Sequence, residues 1–546
     1  MDCKRCLSTS HDARIPAGKG VASVLFDREG VFKTIDINQG GFMMHWGKFF
    51  CFVFMSTLFL TGSSSDTWGA PAKPSQATET CLACHRAVTP GIVSDWENSY
   101  HSTSTPAAAL EKAKRERRMS AAQVSDEVSG HVVGCAECHT ANPDAHPDTF
   151  DHNGFKVHTV VTPADCAVCH PTEVDQYSHN IMAQAYGNLN HNPVYHDLVE
   201  MSIGTQKFAN GELSVDPPNI DTESDACNYC HGTVVEFQGL EERSTGMGTM
   251  SLPKYSGWPN QGVGRINPDG TKGSCAACHT RHNFSIEMAR KPYTCGECHK
   301  GPDVPAYKVY MVSKHGNIYN SHWKDWDFKA VPWVAGEDFT APTCATCHAS
   351  LVVTPTGEVI SERTHQFNDR SAWRIFGLPY AHAHPKDADT TKIKNSDGLP
   401  LPTSLDGTPA TEYLIDENEQ NKRRATMKRV CSACHSEGWT NGHFERFENT
   451  IQIMNEKTLT STGILLEAYN SGVANGLADG DSLFNEALEK KWVETWLFYA
   501  NSTRFSSAMA GADYGVFANG RWYMNKTIAE MADWLEMLKK IHDDED

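Results

Sequence analysis

The sequence predicts a mostly α-helical protein with much coil, built as a cysteine- and histidine-rich domain followed by a C-terminal helical bundle. Three observations carry this prediction. Eight Cys-x-x-Cys-His motifs recur between residues 81 and 435. The stretches between them are rich in Gly, Pro, Asn and His, as in KYSGWPNQGVGRINPDGTKGS at 254–274, and favour turns over long elements. Beyond residue 440 cysteine disappears and apolar residues take up a four-residue spacing, the stripe of an amphipathic helix.

The N-terminal 72 residues read as processing sequence. FFCFVFMSTLFL at 49–60 follows Lys48 and precedes a small, polar stretch. It is too short to anchor in a bilayer and has the form of a secretory signal, with cleavage after Ala70 or Ala72. Met43 or Met44 is the better start, so residues 1–42 read as a non-native extension and 43–72 as the signal peptide. Cys3, Cys6 and Cys51 then lie outside the mature chain. The destination is the periplasm or an equivalent extracytoplasmic compartment, where spare thiols oxidise.

The motif cysteines are Cys81 and Cys84, Cys135 and Cys138, Cys166 and Cys169, Cys227 and Cys230, Cys275 and Cys278, Cys295 and Cys298, Cys344 and Cys347, and Cys431 and Cys434. The histidines that follow are His85, His139, His170, His231, His279, His299, His348 and His435. This is the pattern of c-type haem attachment. Two residues between the thiols place the sulfurs at the separation of two porphyrin vinyl groups, and the next residue turns its imidazole toward the iron. Zinc sites built from Cys-x-x-Cys pairs would not need a histidine after every pair. Residues 73–440 are therefore a multihaem cytochrome c domain expected to hold eight haems. The motifs are unevenly spaced, so the domain is not a solenoid of equal repeats. Motifs five and six are close enough in sequence for their haems to touch. The segment 383–424, rich in Asp, Lys, Thr and Pro, reads as a solvated loop.

A second imidazole on an iron makes an electron relay, whereas an iron without one is open to chemistry. Sixteen histidines remain after the motif and N-terminal ones are set aside. His101 and His315 share a context, Trp96-x-x-Ser99-x-His101 and Tyr310-x-x-Ser313-x-His315, and His179 is similar. His282 and His365 complete the set of candidate distal ligands. His382, His384 and His542 read as solvent-facing. In residues 441–546, the helical C-terminal domain, Phe484, Leu488, Trp492 and Trp496 form one stripe and Ile528, Met531, Leu535 and Leu538 another.

The net charge of −19 lies almost entirely beyond the first 70 residues. It argues against nucleic acid or an anionic membrane as partner and suits docking of a basic, soluble redox carrier such as a small cytochrome c. No other segment approaches the length of an integral membrane anchor.

These features resemble the octahaem hydroxylamine oxidoreductase family. The resemblance rests on the eight motifs, the haem-free helical end, and the phrases GSCAACHTRHNFS (273–285), APTCATCH (341–348) and AMAGADY (508–514). The Cys-x-x-Cys-Lys motif of related nitrite and tetrathionate reductases does not occur. The resemblance implies a homotrimer acting on a small nitrogenous substrate, with catalysis at the fourth haem, here Cys227, Cys230 and His231. In oxidising members a tyrosine of the neighbouring subunit cross-links to that haem. The match is Tyr514, with Tyr499 or Tyr523 as alternates. Two departures stand out. The segment after Tyr514 lacks the family's Trp-His-Gly phrase, and an Asp-His pair used for proton transfer is replaced by Asp303-Val304, which makes Asp303 the acid/base candidate. The only Asp-His dipeptide is Asp151-His152. Three functions follow as expectations: oxidation of hydroxylamine or hydrazine, the same site run as a nitrite or nitric oxide reductase, and a non-enzymatic electron wire.

Overall fold

The computed structural model describes residues 72–258, 260–476 and 480–545. The expected extension and signal peptide lie outside the described residues. Most haem motifs sit on one short helical turn capped by nearby residues, whereas the first lies within the helix Gln76–Val88 and the last at the end of Glu417–Ser432. Gly134 donates its N–H to Glu137 Oε2 at 2.8 Å ahead of the helix Cys135–His139. Thr343 donates to Thr346 Oγ1 at 2.9 Å ahead of Cys344–His348. Asp165 Oδ2 accepts the Thr162 N–H at 2.8 Å in the turn that delivers Cys166. Such caps satisfy backbone donors that a five-residue helix leaves open. Strands are short: antiparallel hairpins pair Phe150–His152 with Phe155–Val157, Thr205–Ala209 with Glu212–Asp216, and Glu236–Thr245 with Gly248–Ser256.

Three long helical stretches dominate the C-terminal part: Glu437–Asn470, a helix from Ala487 to Met509, and Arg521–Glu545. The middle one changes pitch. Ala487–Val493 is α, Glu494–Ala500 is π, and Asn501–Met509 is α again. Phe484, Leu488, Trp492 and Trp496 are each no more than 2% exposed, although Phe484 lies before the helix begins. This core is not confined to the C-terminal stretch, since Val194, Leu378 and Leu401 belong to it. A second core is aromatic, with Tyr310, Tyr319, Trp326, Phe328, Trp333 and Phe339 in contact.

One expectation is overturned here. The segment 383–424 is not a solvated loop: Ile393, Leu401, Leu414 and Ile415 are buried. Its polar residues organise turns that aim these few apolar side chains inward. Asn395 accepts from the Asp397 and Leu399 N–H groups through Oδ1 and donates to the Thr403 carbonyl. Among the described residues, no helix is long and apolar enough to cross a membrane.

Candidate functional site

Cysteines of seven of the eight motifs line one continuous cavity of about 2560 Å³. Protein interiors are close-packed, and voids larger than a water molecule are few. A space of this size, walled by paired thiols and imidazoles, is shaped for a large prosthetic group. The thiols of Cys166 and Cys275, Cys230 and Cys298, and Cys295 and Cys344 are in contact. Motif three thus adjoins motif five, motif four adjoins motif six, and motif six adjoins motif seven. Cys278 of motif five lies near Cys295 of motif six.

The imidazoles give the second test of fit. Ring centroids lie 6.2 Å apart for His85 and His152, 6.3 Å for His170 and His101, and 6.4 Å for His139 and His282. They lie 6.4 Å apart for His279 and His365, and 6.1 Å for His435 and His315. Two imidazoles bound through nitrogen to one iron at about 2 Å would place their centroids at about this separation. The protein orients the motif rings from behind: His139 Nδ1 faces the His158 carbonyl at 2.9 Å, and His231 Nδ1 faces the Ala185 carbonyl at 3.2 Å. With Nδ1–H donated backward, Nε2 is left to bind a metal. Burial lowers the pKa of His101, His139, His279, His348 and His365 to about 4, which keeps these rings in the neutral, ligating form.

Three motif histidines, His231, His299 and His348, have no imidazole at that spacing among the described residues. His348 lies in the electrostatic field of His384. His384 and His382 are 7% and 3% exposed, not solvent-facing. His382 lies on the 382–383 strand paired with Trp373–Arg374 and His384 directly follows it, and that two-stranded ribbon turns both inward. His382 Nε2 and His384 Nδ1 have no hydrogen-bond partner.

His231 has different company. Asp303 lines the same cavity and is near enough for its charge to act on both His231 and His299. Arg374 also lines the cavity and acts on His231. Its guanidinium makes no ion pair among the described residues. Burial is the largest cause lowering the His231 pKa and outweighs the opposing pull of the Ala185 carbonyl and Asp303. The Asp303 loop is tied to the C-terminal helix through Asn501, which directly follows the π segment. Asn501 Nδ2 donates to the Asp303 carbonyl at 3.1 Å and to the Leu497 carbonyl at 2.9 Å. Its Oδ1 accepts from the Gly377 N–H and from Arg504 Nη1, both at 3.1 Å.

The other expected residues fall elsewhere. His179 is exposed, with Nδ1 on the Asp175 carbonyl at 2.8 Å. Tyr514 is half-buried in the turn Ala512–Gly515 and does not line the cavity of its own chain. Sequence reasoning passed over His152, His384 and Arg374. Asp151-His152 was visible as a dipeptide, but only the hairpin that carries it shows that it meets His85.

Comparison with known proteins places this architecture. The family described as seven times multi-haem cytochrome CxxCH matches residues 266–372, and the cytochrome c554 and c-prime family matches 80–161. A solved structure described as a hypothetical multiheme protein is 44% identical, with a TM-score of 0.81, over 86% of this chain and 97% of that one. This chain belongs to the multihaem c-type cytochromes. Covalently bound haem is therefore the group that the cavity, thiols and imidazoles of this cytochrome fit. Its resemblance to the hydroxylamine oxidoreductase family extends to the relatives. A probable nitrite reductase-hydroxylamine oxidoreductase fusion protein of Kuenenia stuttgartiensis is 25% identical over 371 residues, 65% of this chain. The cytochrome spans only 34% of that relative's length. A reducing HAO-like protein complex of the same organism shares the fold, with a TM-score of 0.56 at 19% identity over 87% of this chain and 89% of that one.

Proposed function

We propose that this cytochrome is an octahaem oxidoreductase of small nitrogen compounds, oxidising hydroxylamine or hydrazine at the centre attached through Cys227 and Cys230. The observation that carries the reading is an asymmetry. Five motif histidines face a second imidazole at 6.1–6.4 Å, whereas His231 shares its cavity with a carboxylate and a guanidinium. Bound haem would supply an iron that holds the substrate nitrogen, together with redox centres that take its electrons. His231 would hold the iron of that haem, its ring kept in register by the Ala185 carbonyl. The Asp303 carboxylate accepts protons as N–H and O–H bonds are oxidised, the work of a positioned general base. Asn501 fixes the loop that presents it. The contact of Cys230 with Cys298 would bring a haem held by motif six against one held by motif four and so offer electrons a short first step.

A homotrimer exported to the periplasm, serving a small soluble redox carrier, completes the proposal. In such a trimer Tyr514 would act on the neighbouring chain's centre. The cleanest test is direct: assay hydroxylamine oxidation with an artificial acceptor, and map tryptic peptides for a porphyrin bonded to Tyr514. Turnover together with a cross-linked peptide supports oxidation. A bare Tyr514 peptide with nitrite reduction by dithionite supports the reverse direction, which the unpaired Arg374 favours because a guanidinium holds an oxyanion better than a neutral amine.

A further inference from the structure

One cation in the haem cavity stands without a partner. Arg374 ends the strand Trp373–Arg374 and lines the cavity, where its charge acts on His231. Among the described residues its guanidinium donates no hydrogen bond and meets no carboxylate. It lies 5.8 Å from the centroid of the Phe376 ring. Other arginines of the cavity are served. Arg290 Nη1 donates to the Phe328 and Ala330 carbonyls at 2.9 and 2.7 Å, and Arg370 Nη1 to the Thr346 and Cys347 carbonyls, both at 3.2 Å. Arg363 pairs with Glu173 at 2.9 Å.

The surroundings of Arg374 do not compensate it. Burial, with Arg374 itself, lowers the pKa of His382 and His384 and keeps both rings neutral. Arg504, which also acts on His382, is buried and adds a second cation without an ion pair. Its partners are the amide oxygens of Asn501 and Asn455, at 3.1 and 2.7 Å. Tyr195, on the helix Pro193–Ile203, lines the same cavity within the field of Arg374. Its hydroxyl has no hydrogen-bond partner among the described residues. Burial pushes its pKa up to about 12 against the pull of Arg374, so the phenol keeps a proton to donate.

A buried ion is costly unless a counter-charge and hydrogen bonds answer it. A guanidinium fork beside a free hydroxyl fits an oxyanion, above all a carboxylate. Two sources of such an anion reach this cavity: a propionate of a bound haem, and a soluble anion such as nitrite. Position favours the propionate. Asp303 acts on the thiols of Cys227 and Cys230 as well as on His231. Arg374 acts on His231, His382 and His384. The carboxylate therefore stands toward the thiols and the guanidinium away from them. In a c-type haem the propionates leave the porphyrin edge opposite the thioether bonds. A propionate is also a permanent anion, whereas a substrate that comes and goes would leave the cation bare for part of each turnover.

We propose that Arg374 and the Tyr195 hydroxyl bind a propionate of the haem attached through Cys227 and Cys230. The proposal rests on haem attachment at those two cysteines. Both side chains are positioning residues. They fix the far edge of the porphyrin, and the positive charge beside it raises the reduction potential of that centre. A guanidinium filled in this way is not available to a substrate anion.

The test is a redox titration of the purified holoprotein. Peptide mapping for haem on Cys227 and Cys230 in every sample tells a missing haem apart from a missing ion pair. Arg374→Met is expected to make one centre about tenfold harder to reduce, a downward shift of about 59 mV for one electron, with the other midpoints unchanged. Arg374→Lys keeps the charge and is expected to restore most of that shift. The dissociation constant of nitrite from the oxidised protein is expected to stay the same in all three proteins. Unchanged midpoints in Arg374→Met with the haem in place would overturn the proposal. So would weakened nitrite binding with every midpoint unchanged, because the guanidinium would then serve a soluble oxyanion. Should Arg374→Met not accumulate, Tyr195→Phe decides. It is expected to lower the same midpoint by less, and no shift with that haem present would overturn the proposal.

Discussion

At the scale of single residues, Asp303 and His382 show how surroundings give ordinary side chains particular tasks. Asp303 is the carboxylate facing the cavity beside His231. Removing its basicity while keeping its shape, Asp303→Asn, is expected to lower kcat for hydroxylamine oxidation about 10²–10³-fold with haem content unchanged, within the usual worth of a general base. Equal turnover in the variant would remove Asp303 from the reaction. His382 makes a pH prediction. Burial lowers its pKa to about 3 from the ordinary 6.5, helped by Arg374 and Arg504. The folded protein keeps the ring neutral, whereas the unfolded chain takes up a proton below about pH 6.5. The stability this ring contributes is thus complete above about pH 6.5 and drains away as pH falls toward 3. Melting temperatures measured from pH 7.5 down to 4.5 should fall, and His382→Gln should make the decline shallower.

At the scale of elements, the helix 487–509 does two jobs. Its first half packs the core through Leu488 and Trp492. Its π segment shifts the register, a feature that recurs at functional sites, and Asn501 just after it reaches Asp303. Two substitutions separate the jobs. Trp492→Ala empties a fully buried site and should cost about 3–5 kcal/mol in denaturant unfolding. Asn501→Ala leaves the Gly377 N–H and the Asp303 carbonyl without their partner. It should cost about 1–3 kcal/mol and also lower kcat, because the Asp303 loop loses its anchor. A variant that melts earlier yet keeps full kcat would show that Asn501 serves stability alone. The motif turns were legible for a different reason: their chemistry is local, and caps such as Glu137 and Thr346 lie within or beside the motif itself.

At the scale of the whole molecule, cavity and ligands make one prediction about coordination. The intact mass should exceed the polypeptide by eight haems, and carbon monoxide added to the reduced protein should bind one iron per chain. Binding at none would leave only electron conduction. Binding at two would point to His299, which also lacks a ring partner and shares Asp303 with His231. Part of the candidate distal set was legible: His101 and His315 stood out by their shared context, and they and the further candidates His282 and His365 each lie opposite a motif histidine. His152 and His384 were not, because a short hairpin or two-stranded ribbon, with no signature in the residues around the histidine, turns each inward.

By itself the sequence determined what is covalent and local. Spacing within five residues names the candidate attachment cysteines and the histidine that would stand behind each iron, since thioether reach and one helical turn leave no freedom. The four-residue stripe of the C-terminal core is similarly local. Only the tertiary structure decided which imidazoles face each other, where Asp303 and Arg374 gather, and that His382, His384 and the apolar side chains of the 383–424 segment lie inside. Those contacts join residues far apart in the chain, and long-range packing of short elements fixes them, not any property of neighbouring residues.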